Sequence, residues 1–301
     1  MPSRTPESIL QRLDWQVIRR LDGILQGDYR SLFYGFGLDL ADLREYQPGD
    51  DIRHIDWNVT ARLGTPYVRQ FIEDREIAAW FLLDLSPSVD FGTAHSLKRD
   101  CLMEVVAVLA RLLTRRGNRT GAILYDRQIE RVIPARGGRL HVLRLIHDLL
   151  RQPSLPAAPF TDLGVLLEAA LRMIRRRSLI FIVSDFISVP GWEGALRLLS
   201  RRHEVLAVRL WDPCEKELPD MGLVLMQDAE TGEQLWVDTG DRRFRQRYSE
   251  AAQQRQAVLD TALRRARVDV LSLSTEDDLV RAIVQFAARR KQQKHLRRPD
   301  G

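Results

Sequence analysis

The feature that most constrains this chain is an alternation of short apolar runs with longer helix-like patterns, which begins at residue 77. Two of the apolar runs, residues 77–83 and 179–183, have the length of buried strands. Helix-period patterns, such as those over residues 95–116 and 163–175, lie between the strand-like runs. Strands that alternate with helices favour parallel pairing, because each crossover helix packs back onto the sheet. We therefore predict an α/β fold with a doubly wound, mostly parallel sheet.

The first 76 residues lack this alternation and predict a different kind of unit. A charged amphipathic pattern over residues 8–26 favours one helix, and Pro48-Gly49 marks a turn. A second turn leads into a predicted edge strand over residues 67–71. We interpret residues 1–76 as an N-terminal helix and small β-rich lobe, residues 77–290 as the α/β domain, and residues 291–301 as a basic tail.

The excess of positive over negative charge in this chain lies at its C-terminal end. The net charge is +5, and residues 289–301 hold six Lys or Arg against one Asp. The rest of the chain is therefore neutral overall, which argues against a basic nucleic-acid-binding face. We interpret the tail as a solubilising segment, with an anionic partner as the alternative.

Cysteine usage and apolar run length bear on the compartment. The two cysteines, Cys101 and Cys214, stand in no metal-binding spacing and are too few for a disulfide framework. The longest apolar runs fall well short of the ~18 residues that a membrane span needs. We therefore expect a cytoplasmic protein with no transmembrane segment.

The candidate site begins where the first long strand ends. Asp84, Ser86 and Ser88 follow that strand, Thr161 lies in the loop before a later helix, and Asp185 follows the strand of residues 178–184. Ligands of open α/β sheets bind outside the carboxyl ends of the strands, so we expect these five side chains to converge. Two carboxylates and three hydroxyls suit Mg²⁺, a hard ion that prefers oxygen ligands. Mn²⁺ and Ca²⁺ are alternatives, because they compete for similar oxygens.

Each of these residues also has an ordinary structural interpretation. Asp84 and Ser86 could cap a helix, Thr161 could be the N-cap of the helix that follows it, and Asp185 could form a turn. The five residues together, at matching strand ends, favour the metal-site hypothesis.

The spacing of the five residues resembles the metal-ion-dependent adhesion site of von Willebrand factor A domains, whose pattern is DxSxS, then a threonine, then an aspartate. The resemblance implies that Ser86, Ser88 and Thr161 are hydroxyl ligands, while Asp84 and Asp185 act through waters or as hydrogen-bond acceptors. It further implies a von Willebrand factor A-like domain and an open metal position for a partner's Asp or Glu.

A second signature precedes the site. Arg44-Glu45-Tyr46, Pro48-Gly49-Asp50-Asp51-Ile52-Arg53, Ile55-Asp56-Trp57 and Ala61-Arg62, ahead of a DxSxS strand, resemble the domain of unknown function 58 (DUF58) family. The resemblance covers roughly residues 35–210 and implies a partnership with a MoxR-type AAA+ ATPase in protein assembly or activation. Many members of that family carry transmembrane helices, which this chain lacks.

Four polar or aromatic residues of this signature are candidates for partner binding: Arg53, Asp56, Trp57 and Arg62. Tryptophan and arginine are common interface anchors. The alternative is a buried ion pair beside a packing tryptophan.

We therefore expect a non-enzymatic, metal-dependent protein-interaction module that acts as an adaptor for the ATPase and a client protein. The chain has no G-x-S-x-G elbow, no Walker A lysine motif and no dinucleotide glycine fingerprint. A metal-assisted hydrolase using Asp84 and Asp185 is the main alternative. Nucleic-acid binding through the basic tail is a further one.

Overall fold

A computed structural model describes residues 5–24, 43–48, 50–52, 55–69, 78–93, 96–153 and 160–297. The strands are β1 (Leu43–Glu45), β2 (Tyr67–Arg69), β3 (Ala78–Asp84), β4 (Arg119–Tyr125), β5 (Ile129–Arg136), β6 (Leu179–Ser184), β7 (Glu204–Trp211), β8 (Leu223–Gln227), β9 (Gln234–Asp238) and β10 (Asp269–Ser274). The helices are α1 (Pro6–Leu13), α2 (Arg19–Ile24), α3 (Trp57–Leu63), α4 (Lys98–Thr114), α5 (Arg139–Leu150), α6 (Leu163–Met173), α7 (Glu193–Arg202), α8 (Arg242–Arg265) and α9 (Leu279–Arg297).

Six strands form the central sheet, in the order β10-β7-β6-β3-β4-β5. All neighbouring pairs are parallel except β4 with β5, which run antiparallel at one edge. The two strands predicted as buried, β3 and β6, lie side by side in the middle. The parallel alignment brings the carboxyl ends of β3, β6 and β7 to the same edge of the sheet.

Helices cover both faces of this sheet, which confirms the predicted α/β fold. Successive residues of β3 enter opposite layers: Phe81 packs with α4, α5 and α9, and Leu82 packs with α6, α7 and α8. This is why β3 and β6 are apolar without alternation. Phe81 stacks on Phe181 of β6 with ring centroids 5.0 Å apart. Each such fully buried side chain contributes about 1.5–3 kcal/mol of hydrophobic free energy.

The N-terminal helix belongs to the same core. Thr5 caps α1 by accepting a hydrogen bond from the Ser8 amide, and Pro6 takes the first helical position. A π-helical turn, Asp14–Ile18, joins α1 to α2. Leu10 and Leu13 are buried in the layer that contains α4 and α5. The boundary at residue 76 stays a prediction, but α1 packs on the α/β unit that follows that boundary.

The small lobe contains more helix than the sequence predicted. β1 and β2 pair antiparallel, and the predicted edge strand is present over its first three residues. Helix α3 was not predicted. It forms because Asp56 precedes it and accepts a hydrogen bond from the Val59 amide at 3.3 Å, which satisfies one of the unpaired donors at a helix start.

The C-terminal end also differs from the prediction. Helix α9 continues to Arg297, so the boundary placed at residue 291 falls inside a helix, and residues 298–301 lie outside the described part. Arg, Lys and Gln are good helix formers, and Pro299 is the first helix breaker after residue 290. Within the described ranges, no helix combines the length and apolar character that crossing a bilayer demands.

Candidate metal centre

Asp84 is the last residue of β3 and is completely buried. Its Oδ1 accepts a hydrogen bond from the Ser86 amide at 3.1 Å. Its Oδ2 accepts one from the hydroxyl of Ser184, the last residue of β6, at 2.6 Å. Both carboxylate oxygens are therefore oriented by the ends of two adjacent strands.

The two serines of the DxSxS motif lie beside Asp84. Ser86 immediately precedes a 3₁₀ turn, Pro87–Asp90, and Ser88 lies within it. Their hydroxyl oxygens are 3.1 Å apart. Neighbouring ligands of an octahedral Mg²⁺ are also about 3 Å apart, because each lies about 2.1 Å from the ion. The spacing of the two hydroxyls therefore suits adjacent metal ligands.

Asp185 follows β6 and binds a buried ammonium group. Its Oδ1 accepts a hydrogen bond from the Ile187 amide at 2.9 Å, and its Oδ2 accepts one from Lys98 Nζ at 2.7 Å. Lys98 begins α4, is 1% exposed, and also donates to Glu215. Burial lowers the pKa of Lys98, but the Asp185 and Glu215 carboxylates outweigh that effect and raise the pKa above its usual value. Lys98 is therefore a charged ammonium inside the site.

Thr161 is held by a carboxylate from a distant hairpin. Its amide donates to Glu230 Oε2 at 2.7 Å, and its hydroxyl donates to the other oxygen of the same side chain. Glu230 lies in the turn between β8 and β9. The carbonyl of Thr161 accepts a hydrogen bond from the Val189 amide at 2.9 Å, which ties this loop to the segment after β6.

Tyr125, at the end of β4, is paired with Asp84 in the register of the sheet. Its hydroxyl accepts a hydrogen bond from the Asp162 amide at 2.9 Å. Burial raises the pKa of Tyr125 to about 12, the Asp162 amide opposes this shift, and the nearby carboxylates of Asp84, Asp162 and Glu230 add to it. Asp84 and Glu230 therefore both lie within electrostatic range of one phenol.

The site has more negative than positive charge. Burial raises the pKa of Asp84 to about 7, the charge of Asp185 adds to this shift, and hydrogen bonds from Ser184 and Ser86 oppose it. Lys98 pairs with two of the surrounding carboxylates. Arg209 of β7 lies within electrostatic range of Asp185 and Glu215. Clustered carboxylates that are desolvated in this way favour the binding of an additional cation.

The donor set fits a hard divalent cation. In the part of the chain that the structure describes, no group of three or more His, Cys, Asp and Glu side chains is arranged to hold a metal. The five-residue set is of another kind, because three of its oxygens are hydroxyls. Each of the five residues is 5% exposed or less. Oxygen donors alone, without nitrogen or sulfur, suit Mg²⁺, Mn²⁺ or Ca²⁺ rather than Zn²⁺.

The structural interpretations of the five residues hold only in part. Asp162, not Thr161, caps α6, and Ser86 makes no capping hydrogen bond with its side chain. Asp84 and Asp185 do each accept a hydrogen bond from the amide two residues later, as turn-forming aspartates do. Their remaining oxygens point to Ser184 and Lys98, which a turn does not require.

Sequence reasoning missed four residues that complete the site: Lys98, Ser184, Glu215 and Glu230. The position of Lys98 was one indication in the sequence. A lysine in the first turn of a helix interacts unfavourably with the helix dipole, so it is expected to have an acidic partner nearby. Glu230 gave no such indication, since it stands in an ordinary-looking turn sequence, Asp228-Ala229-Glu230-Thr231-Gly232.

The candidate partner-binding residues lie on the small lobe. Trp57 is 69% exposed and Arg62 is also exposed, both on α3. Asp56 is buried at the start of α3, and Arg53 lies outside the described residues. The interpretation of Trp57 as a packing tryptophan is therefore wrong, because most of its ring faces solvent.

Comparison with known proteins identifies relatives of this chain. A family model described as "Protein of unknown function DUF58" matches residues 42–258. "Uncharacterized protein Rv1480" of Mycobacterium tuberculosis (strain ATCC 25618 / H37Rv) is 39% identical over 284 residues, which cover 94% of this chain and 89% of the relative. "Uncharacterized protein MAV169" of Mycobacterium avium is 35% identical over 159 residues, which cover 53% of this chain and 94% of that one.

Two solved structures are similar at low sequence identity. BatB from Bacteroides thetaiotaomicron aligns with a TM-score of 0.47 and 14% identity, over 72% of this chain and 99% of that chain. An aerotolerance-related membrane protein from Bacteroides fragilis NCTC 9343 aligns with a TM-score of 0.47 and 13% identity, over 71% and 99%.

Proposed function

The chain belongs to the DUF58 family, and from the buried oxygen cluster at its sheet edge we propose that it is a non-enzymatic, metal-dependent protein-interaction module. The proposed ion is Mg²⁺, with Mn²⁺ or Ca²⁺ as alternatives. The proposed role is that of an adaptor that links a MoxR-type AAA+ ATPase to a client protein. The resemblance to von Willebrand factor A domains supports the adhesion mechanism.

The observation that carries the proposal is the cluster of buried oxygens that Asp84, Ser86 and Ser88 form at the carboxyl end of β3. Ser86 and Ser88 place two hydroxyl oxygens 3.1 Å apart, directly beside the buried Asp84. Ser184 links Asp84 to the end of β6, where Asp185 follows. A cluster of oxygen donors without nitrogen or sulfur is the kind of ligand set that a hard divalent ion prefers, which supports a bound ion here.

The residues divide into two roles toward such an ion. The hydroxyls of Ser86, Ser88 and Thr161 are the proposed ligands. Asp84 and Asp185 already accept hydrogen bonds at both carboxylate oxygens, so they would orient the ligands and neutralise charge. A bound divalent ion would supply a positive centre that attracts a carboxylate of the client.

Lys98 sets the strength of the proposed binding. Its ammonium neutralises part of the negative charge of Asp185 and Glu215 before any ion arrives. An added cation is therefore attracted less strongly than it would be if Asp185 and Glu215 had no ammonium partner. A weakly held ion suits an adhesion site, because exchange of the client carboxylate needs an incompletely neutralised metal.

Among the residues that the structure describes, the two buried histidines lie away from the oxygen cluster. His141 bonds to the Thr120 carbonyl near the start of β4, and His203 directly precedes β7. Both lie toward the amino ends of the strands, whereas the oxygen cluster lies at the carboxyl ends. Neither of these two side chains is therefore placed to exchange a proton with a group bound at the cluster.

Metal binding can be tested by calorimetry with Mg²⁺ and Mn²⁺. We expect saturable binding to the wild type and its loss in Asp84→Asn, which removes a charge while keeping the side-chain shape. Asp126→Asn is the matched control, because Asp126 is a buried carboxylate directly after the neighbouring strand β4 and is outside the five-residue set. Equal binding by wild type and Asp84→Asn, or no binding by wild type, would exclude the proposed mechanism.

A further inference from the structure

The β8–β9 hairpin brings the carboxylate of Glu230 against Thr161, one of the proposed metal ligands. We propose that Glu230 is a built-in carboxylate ligand of the metal centre, which fills the position open to a client's Asp or Glu until a client displaces it. This inference rests on the proposed function and adds the regulation of that same site.

The contact between Glu230 and Thr161 is the main evidence. Glu230 is 7% exposed although it belongs to a hairpin turn. Both of its carboxylate oxygens accept hydrogen bonds from Thr161, one from the amide and one from the hydroxyl. The hydroxyl of Thr161 is a proposed metal ligand, so the carboxylate lies directly against a ligand of the ion.

The turn holds Glu230 in this position by its own hydrogen bonds. Asp228 Oδ1 accepts from the Glu230 amide at 3.0 Å and from the Thr231 amide at 2.7 Å. Gly232 closes the turn with φ +74°, a conformation that residues with a side chain rarely adopt. The carboxylate is therefore presented by a preorganised turn, as a client's carboxylate would be presented by a binding loop.

A second contact ties the Thr161 loop to the strand beside Asp84. The Tyr125 hydroxyl accepts a hydrogen bond from the amide of Asp162, the residue after Thr161. Tyr125 is also paired with Asp84 in the register of β4 and β3. The loop that Glu230 contacts is therefore attached to the strand end that neighbours the first aspartate of the motif.

The charge of Glu230 argues against a purely structural role. A glutamine could bond both the amide and the hydroxyl of Thr161 without burying another negative charge. A buried carboxylate costs desolvation free energy, which a nearby cation would offset. Glutamate at this position is explained if a divalent ion binds beside Thr161.

The hairpin is separate from the central sheet. β8 and β9 pair with each other in a two-stranded sheet separate from the central one. Leu225 and Trp236, which pair across the hairpin, are exposed. Lifting the hairpin therefore withdraws Glu230 without breaking a strand of the central sheet.

The test is Mn²⁺ binding, measured by calorimetry with and without excess sodium acetate, for wild type, Glu230→Gln and Glu233→Gln. Glu233 is the matched control, because it lies in the same turn with an exposed side chain. We expect Glu230→Gln to bind Mn²⁺ about tenfold more weakly than wild type, as loss of one charged ligand does. Acetate should recover much of that affinity by entering the vacated position, and should not affect wild type or Glu233→Gln.

Two results would overturn the inference and leave the proposed function standing. Wild-type affinity in Glu230→Gln would show that Glu230 is not a ligand, and a loss that acetate does not recover would make Glu230 only a structural residue. Absence of Mn²⁺ binding by wild type and both variants would instead overturn the proposed function together with this inference.

Discussion

The sheet edge and the small lobe are both unusual, but in opposite ways: the sheet edge buries polar side chains, and the lobe exposes apolar ones. At the sheet edge, carboxylates and hydroxyls such as Asp84 and Thr161 are buried, and Lys98 is buried with them. On the lobe, large apolar side chains are exposed: Ile52, Trp57 and Leu63 are each more than half exposed. Polar groups normally face water and apolar groups normally do not.

The contrast indicates two kinds of recognition. A buried set of oxygens can bind only a small ion or a single inserted side chain such as Glu230. An exposed tryptophan on a short helix offers area to a protein surface. We therefore propose that the ion and the client carboxylate bind at the sheet edge and that the ATPase docks on the lobe.

The largest expected effect on stability comes from Lys98. Lys98→Met should lower the free energy of unfolding by about 3 kcal/mol, because it leaves Asp185 and Glu215 without their buried ammonium partner. Added Mg²⁺ should recover part of this loss. Urea denaturation with and without Mg²⁺ measures both effects.

Arg12→Met is the control for Lys98, since Arg12 pairs with Glu104 at the surface. A partly exposed pair of this kind contributes about 1 kcal/mol or less. Equal stability of Lys98→Met and Arg12→Met would contradict this prediction. It would mean that the buried Lys98 ammonium stabilises the protein no more than a surface ion pair does.

The smallest expected effect on stability comes from Trp57. Trp57→Ala should change the free energy of unfolding by no more than about 0.5 kcal/mol, because the ring is mostly exposed. It should nevertheless weaken binding to the proposed MoxR-type ATPase partner by at least about tenfold. Urea denaturation and surface-immobilised binding measure the two quantities.

Trp15→Ala is the matched control, because Trp15 is 65% exposed on the N-terminal helix, where Arg19 stacks on it. Unchanged ATPase binding in Trp57→Ala, or an equal loss in both variants, would remove the lobe from the proposed interface.

Most of the fold could be predicted from the sequence because local patterns determine it. The strands β3 and β6 are unbroken apolar runs, and the helices between strands have a clear period. The antiparallel edge strand β5 and the β8–β9 hairpin follow from alternation and turn residues. Helix α3 was missed because it is short and its formation depends on the Asp56 cap.

Only the motif residues of the candidate site could be predicted from the sequence. Asp84, Ser86, Ser88, Thr161 and Asp185 follow from strand ends, and all five lie buried at the carboxyl edge. Lys98 and Glu230 come from elements whose packing no local pattern reveals: 87 residues separate Lys98 from Asp185, and 69 separate Thr161 from Glu230. Contacts of that range depend on tertiary structure.

The most direct test of the central claim is a crystal structure of the protein grown with Mn²⁺, with anomalous scattering recorded at a wavelength where manganese contributes. We expect an anomalous peak from a manganese ion that is coordinated by the hydroxyls of Ser86 and Ser88, beside the carboxylate of Asp84. An ordered site with no anomalous peak, in which the Lys98 ammonium alone balances the carboxylates, would contradict the claim.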